Sequence, residues 1–225
     1  MKTLTTHINE ALKIGKNLSK FSAYSYRPEN KEDLEKIIKE RISKEGFSCD
    51  LNDIDTSLIT DMSCLFFDSK FNGDISKWNT SNVTNMSYMF NESSFNQSIG
   101  DWDVSNVINM EGMFSESKFN QDISNWDVSK MNNTIAMFHK AKFNKPINNW
   151  NVSSVKCMRM MFAYSDFNQP IEDWDVSNVN DMRLMFSGSK FNKDISKWKI
   201  DKDCNTCYTF SSCYIKEEFK PKALQ

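Results

Sequence analysis

The stretch that decides the fold is FNQDISNWDVSKMNNTIAMF, residues 119–138, because almost all of it returns every 24 residues along the chain. Trp stands at 78, 102, 126, 150, 174 and 198 without a slip in spacing. A Phe-Asn pair keeps the same step at Phe71-Asn72, Phe95-Asn96, Phe119-Asn120, Phe143-Asn144, Phe167-Asn168 and Phe191-Asn192. A second Phe follows at 66, 90, 114, 138, 162, 186 and 210, usually after Met. Degenerate copies flank the clean ones, with Phe47, Leu51, Ile54 and Ile59 before them and Ile200, Phe210 and Cys213 after. One such unit cannot bury enough apolar surface to offset the entropy of ordering it, so the units must stack on one another.

Within a unit, Ile99, Trp102 and Val104 have the Leu-x-x-Leu-x-Leu spacing of a leucine-rich repeat. The Trp-x-Val alternation predicts a short strand, and Val107, Met110, Met113 and Phe114 fall at spacings that predict a helical turn. The expected fold class is therefore an α/β repeat solenoid, with one short parallel strand and one short helix or 3-10 turn per coil. Residues 47–214 would form about seven repeats, 1–46 a helical N-terminal cap, and 215–225 a charged C-terminal tail. In the cap, Pro28, the apolar series Leu34, Ile37, Ile38 and Ile42, and Gly46 predict an amphipathic helix; a second helix is expected around Thr6 to Leu18.

These repeats resemble the BspA-like leucine-rich-repeat family of bacterial surface proteins and mycoplasma-type lipoproteins. The resemblance spans about residues 47–213 and rests on Phe-Asn, Ile-x-x-Trp-x-Val-Ser and Met-x-x-Met-Phe. It implies a non-catalytic recognition or adhesion protein. Such members usually carry an export signal and a lipid-anchor cysteine. Residues 1–17 have no apolar core or cleavage site of that kind, so the chain is expected to be cytoplasmic, with surface display only if a signal lies upstream.

The chain's 225 residues carry 30 acidic and 28 basic side chains, which argues against a nucleic-acid or anionic-membrane partner; the cluster Lys193, Lys197, Lys199 and Lys202 is the local exception. No run of apolar residues approaches a membrane span. The six cysteines are expected to be free thiols. Cys204, Cys207 and Cys213 hint at a zinc knuckle, but no fourth ligand is nearby, and Cys213 takes a slot held elsewhere by Ser69, Ser93, Ser117 and Ser189. No cofactor and no metal is expected. Phosphate-loop, zinc-protease and nucleophile-elbow motifs are absent from the sequence, and the chain is read as no enzyme.

Positions that vary inside a fixed frame mark surface. Beside each Trp these are Lys77 and Asn79, Asp101 and Asp103, Asn125 and Asp127, Asn149 and Asn151, Asp173 and Asp175, and Lys197 and Lys199. They are the expected partner-binding face, on the exposed sheet face of the solenoid, acidic or amidic in the middle and basic at the C-terminal end. The acidic members suggest either a calcium column or, better supported by Asn79, Asn151 and Lys199 in the same slot, Asx turns into the following Ser. A second variable set, Tyr88, Ala136, Arg159, Met160, Arg183 and Leu184, lies on the expected helix side. Asn72, Asn96, Asn120, Asn144, Asn168 and Asn192 are expected to form an internal asparagine ladder, and the Met residues to be core. The expected function is non-enzymatic recognition of another protein of unstated identity, the alternatives being an intracellular inhibitor or decoy of a host enzyme, or an exported adhesin.

Overall fold

The structure, a computed structural model, describes residues 24–225. The helix expected around Thr6 to Leu18 lies outside the described residues. Helix α1 spans Lys31–Glu45. Asn30 starts it by accepting the Asp33 N–H at 2.9 Å, and Gly46, at φ 89°, ends it by donating to the Ile42 carbonyl. Its Leu34 and Ile38 are buried against the first coil, and Arg41 ties it down through Asp53 and Glu45, both at 2.7 Å.

From there the chain winds into coils that repeat every 24 residues, and the three aromatic series stack into columns. Successive rings from Phe66 to Phe210 lie 5.6–5.7 Å apart, and those from Phe71 to Phe191 6.2–6.3 Å apart. Trp78 meets Trp102, Trp126 meets Trp150, and Trp174 meets Trp198, each at 6.4 Å. All of these rings but the last Phe are buried, as are the Met residues from Met62 to Met185 except the half-buried Met160.

The backbone corrects the expected α/β solenoid. Among the described residues there is no named strand and no sheet, only isolated parallel bridges such as Asn85 to Asn109, and no helix lies between α1 and two 3-10 turns at Glu217–Phe219 and Lys222–Leu224. Each coil is instead a chain of i to i+3 turns. In one coil Trp102 donates to Ile99, Val107 to Val104, Met113 to Met110, Ser115 to Gly112 and Ser117 to Phe114. The apolar spacing read as a helix is real, since Val107, Met110, Met113 and Phe114 are all buried, but the backbone beneath it is not helical.

The reason is a division of labour among N–H groups. At Met86, Tyr88, Phe90 and Glu92 the N–H donates forward to Asn109, Glu111, Met113 and Ser115 of the next coil, at 2.7–2.9 Å. The same four-bond ribbon joins every consecutive pair of coils from Met62 to Ser211. The intervening N–H groups are left for local turns. Two slots per coil are left-handed, Tyr88 at φ 56° and Glu92 at φ 55° in this one, which breaks both helix and pleat. Every N–H of the four-bond ribbon therefore points toward the C-terminal end and every ribbon C=O toward the N-terminal end, while at the ribbon's flanks single bonds run the other way, as from Thr84 to Thr60 and from Ser94 to Ser69.

Candidate functional site

The twelve variable positions beside Trp are all exposed, while the Trp between each pair is no more than 6% exposed. They sit on turns, not on a sheet face. Each coil places its pair on the turn closed by the Trp N–H bonding the Ile carbonyl, as from Trp126 to Ile123 at 3.2 Å. The indole N–H then reaches back one coil: Trp126 donates to Ile99 at 3.0 Å, and every Trp from 78 to 198 makes the equivalent bond. A buried anchor that locks each turn to its neighbour fixes the exposed pair in two regular columns.

In one column Asn79, Asp103, Asp127, Asn151 and Asp175 each accept the N–H of the Ser two residues on, at 3.0–3.2 Å. The Ser105, Ser129 and Ser177 hydroxyls and N–H groups hold the Asp103, Asp127 and Asp175 carboxyls below the usual range. One oxygen of each is thus committed to the turn. In the other column Lys77, Asp101, Asn125, Asn149, Asp173 and Lys197 are exposed; Asn149 donates to the Ser124 carbonyl at 2.8 Å, and Asp173 accepts from Asn148 at 2.6 Å. The carboxylates of Asp101, Asp103, Asp127, Asp173 and Asp175 lie between Lys77 at one end and Lys197 and Lys199 at the other.

The Asn residues after Phe are placed differently, half-buried along an inner edge. Each Asn Oδ1 from 72 to 168 accepts the backbone N–H of the next Asn, at 2.8–2.9 Å, and Asn192 accepts from Lys216 at 3.1 Å.

Cys204 is half-buried, its thiol pushed up to about 11 by burial, while Cys207 is exposed. The Cys213 Sγ donates to the Phe191 carbonyl at 3.3 Å and lies 3.5 Å from Ser189 Oγ. Among the described residues no group of three or more His, Cys, Asp or Glu is placed to hold a metal, and no helix is long and apolar enough to cross a membrane.

The sequence reading missed the ribbon. Its first left-handed slot runs Cys64, Tyr88, Gly112, Ala136, Met160, Leu184 and Tyr208, and its second Asp68, Glu92, Glu116, Lys140, Tyr164, Gly188 and Ser212. Part of the variable set assigned to a helix side thus lies on left-handed turns. Arg183 instead grips Asp181 at 2.6 Å, and Tyr88 donates its hydroxyl to Glu111. A signal was available: Gly112 and Gly188 each follow a Tyr by one period in the same slot.

A single family model matches residues 32–142 and again 117–221, which together take in most of the chain. The chain belongs to family DUF285, described as Mycoplasma protein of unknown function. Two overlapping DUF285 matches laid end to end agree with the stacked repeats, and the description agrees with the mycoplasma-type side of the resemblance without naming a leucine-rich repeat. No curated protein matches this DUF285 chain, and no solved structure does.

Proposed function

We propose that this DUF285 chain is a non-enzymatic module that recognises another protein through the two exposed columns flanking its Trp series. The observation that carries the reading is the contrast between anchor and display: every Trp is buried and bonded to the preceding coil, while the side chains on either side of it are exposed and change from Lys to Asp to Asn. A rigid frame with variable display suits recognition, because little order has to be gained on binding. The five carboxylates at the centre favour a partner with basic or amide-donor groups.

The test is a matched pair of baits. The triple variant D101K/D103N/D127N keeps the turn acceptors at positions 103 and 127 and reverses the central charge. A protein held by the natural chain and released by the variant, with melting temperature unchanged, is the expected result. Identical capture by both baits would remove the columns from the interface.

A further inference from the structure

The one-way ribbon leaves the two ends of the stack with opposite and unspent chemistry. At the first coil, Asp61, Ser63, Leu65 and Phe67 stand where each later coil accepts four bonds, and among the described residues their carbonyls have no partner. At the last coil, Thr206, Tyr208, Phe210 and Ser212 stand where each earlier coil donates four bonds, and among the described residues their N–H groups have no partner.

Both ends cover their apolar core. α1 seats Leu34 and Ile38 at one, and at the other Lys220 lies 5.9 Å over the Phe210 ring while the Phe219 carbonyl takes the Ile195 N–H. Neither cover supplies the ribbon. An α-helix spends its own N–H groups internally, and α1 leaves a groove of about 480 Å³ between Ile38 and Ile42 on its side and Leu65 and Phe67 on the other. On this edge Lys31 reaches only the side chains of Ser63 and Asp61, and leaves their carbonyls without a bond among the described residues.

From this polarity we infer that the chain associates head to tail, the Thr206–Ser212 edge of one copy docking along the Asp61–Phe67 edge of the next. Pairing two like ends would set the four ribbon donors against donors, or the four ribbon acceptors against acceptors. A second copy offers the complement by construction, because both edges have the backbone geometry that already joins six pairs of coils within one chain. In register, Phe210 and Ser212 donate to Leu65 and Phe67 beside the open groove. Tyr208, 73% exposed, then lies over Cys64 as Tyr88 lies over Gly112 within the chain. Such a heterologous contact repeats without closing unless the rotation forms a ring. It is independent of the recognition columns, which lie on a different turn.

The same register gives the test. Cys207 comes to sit over Ser63 of the next copy, one residue from its Cys64, and both cysteines are exposed. Within one chain the two are six coils apart, roughly 29 Å at a strand-like rise, beyond a short bis-maleimide. Purified chain at rising concentration should give larger species by sedimentation velocity, with Cys64 linked to Cys207 between copies by peptide mass spectrometry. Thr206→Pro deletes one edge N–H that makes no internal bond, and should lower the cross-linked fraction several-fold at unchanged melting temperature. A monomer at every concentration, or links only between like cysteines, would overturn the proposal. So would full cross-linking in Thr206→Pro.

Discussion

The Tyr88 ring lies 2.5 Å from where a Cβ on Gly112 would stand, and the two residues fill the same left-handed slot in consecutive coils. The Tyr88 hydroxyl is held by Glu111, so the ring cannot swing aside without losing that bond. Gly112→Ala therefore carries two costs: about 1–2 kcal/mol for a left-handed Ala, and the displacement of the ring. In a Tyr88→Ala background only the first remains. Urea unfolding of the two single variants and the double should show a coupling of about 1 kcal/mol or more; strict additivity would mean the ring yields freely.

That pair also shows where the sequence was legible and where it was not. Trp at an unbroken 24-residue spacing requires columns, and the aromatic and Met columns are there because burial depends on side-chain period alone. The strand and helix within each coil failed because apolar spacing does not report which way N–H groups point. Val107, Met110, Met113 and Phe114 satisfy a helical period, yet the Met110 and Phe114 N–H groups leave for Asn133 and Met137 of the next coil. The left-handed slots were hidden by their occupants: Met160, Leu184 and Tyr208 give no glycine-like signal, since the stack holds them in a conformation their side chains disfavour. The exposed columns were found from variation around Trp, but their setting on turns was not.

The indole bond offers a second measurement. Trp126 is 3% exposed and donates to the Ile99 carbonyl at 3.0 Å. Trp126→Phe keeps a ring between Trp102 and Trp150 and removes the donor, leaving a buried carbonyl short of one partner. A loss of about 0.5–1.5 kcal/mol is expected from the bond, since the Ile99 carbonyl keeps the Trp102 N–H, with a further contribution from the smaller ring. Trp126→Leu should cost more, because the aromatic contact with Trp150 goes too. Equal midpoints for Trp126→Phe and the natural chain in denaturant would show that the bond contributes nothing.

Removal of one rung from the asparagine series separates packing from hydrogen bonding. Asn120 Oδ1 accepts the Asn144 N–H at 2.9 Å, and the Asn120 N–H is itself received by Asn96 at 2.8 Å. Asn120→Leu abolishes only the first bond and orphans a backbone donor, for an expected loss of about 1–3 kcal/mol. Asn120→Asp retains an acceptor in the same place and should lose less at neutral pH. The comparison is made by thermal unfolding of the three chains; a Leu variant as stable as the natural one would reduce the rung to geometry without energy.

Acid titration tests the turns that display the exposed columns. The hydroxyl and N–H groups of Ser105, Ser129 and Ser177 stabilise the charged forms of Asp103, Asp127 and Asp175, so the folded carboxyls titrate below their unfolded values. By linkage, the stability they add is present in full above the unfolded carboxyl pKa of about 3.9 and is lost as pH falls through the depressed folded values. Asn already fills the same slot at 79 and 151 with the same bond to Ser, so Asp103→Asn, Asp127→Asn and Asp175→Asn together should preserve the turns. The triple variant is expected to melt close to the natural chain at neutral pH and to lose less melting temperature on acidification. A fall as steep as that of the natural chain would place the acid sensitivity elsewhere, with the Asp181 carboxyl, which Arg183 holds low, as the next group to replace.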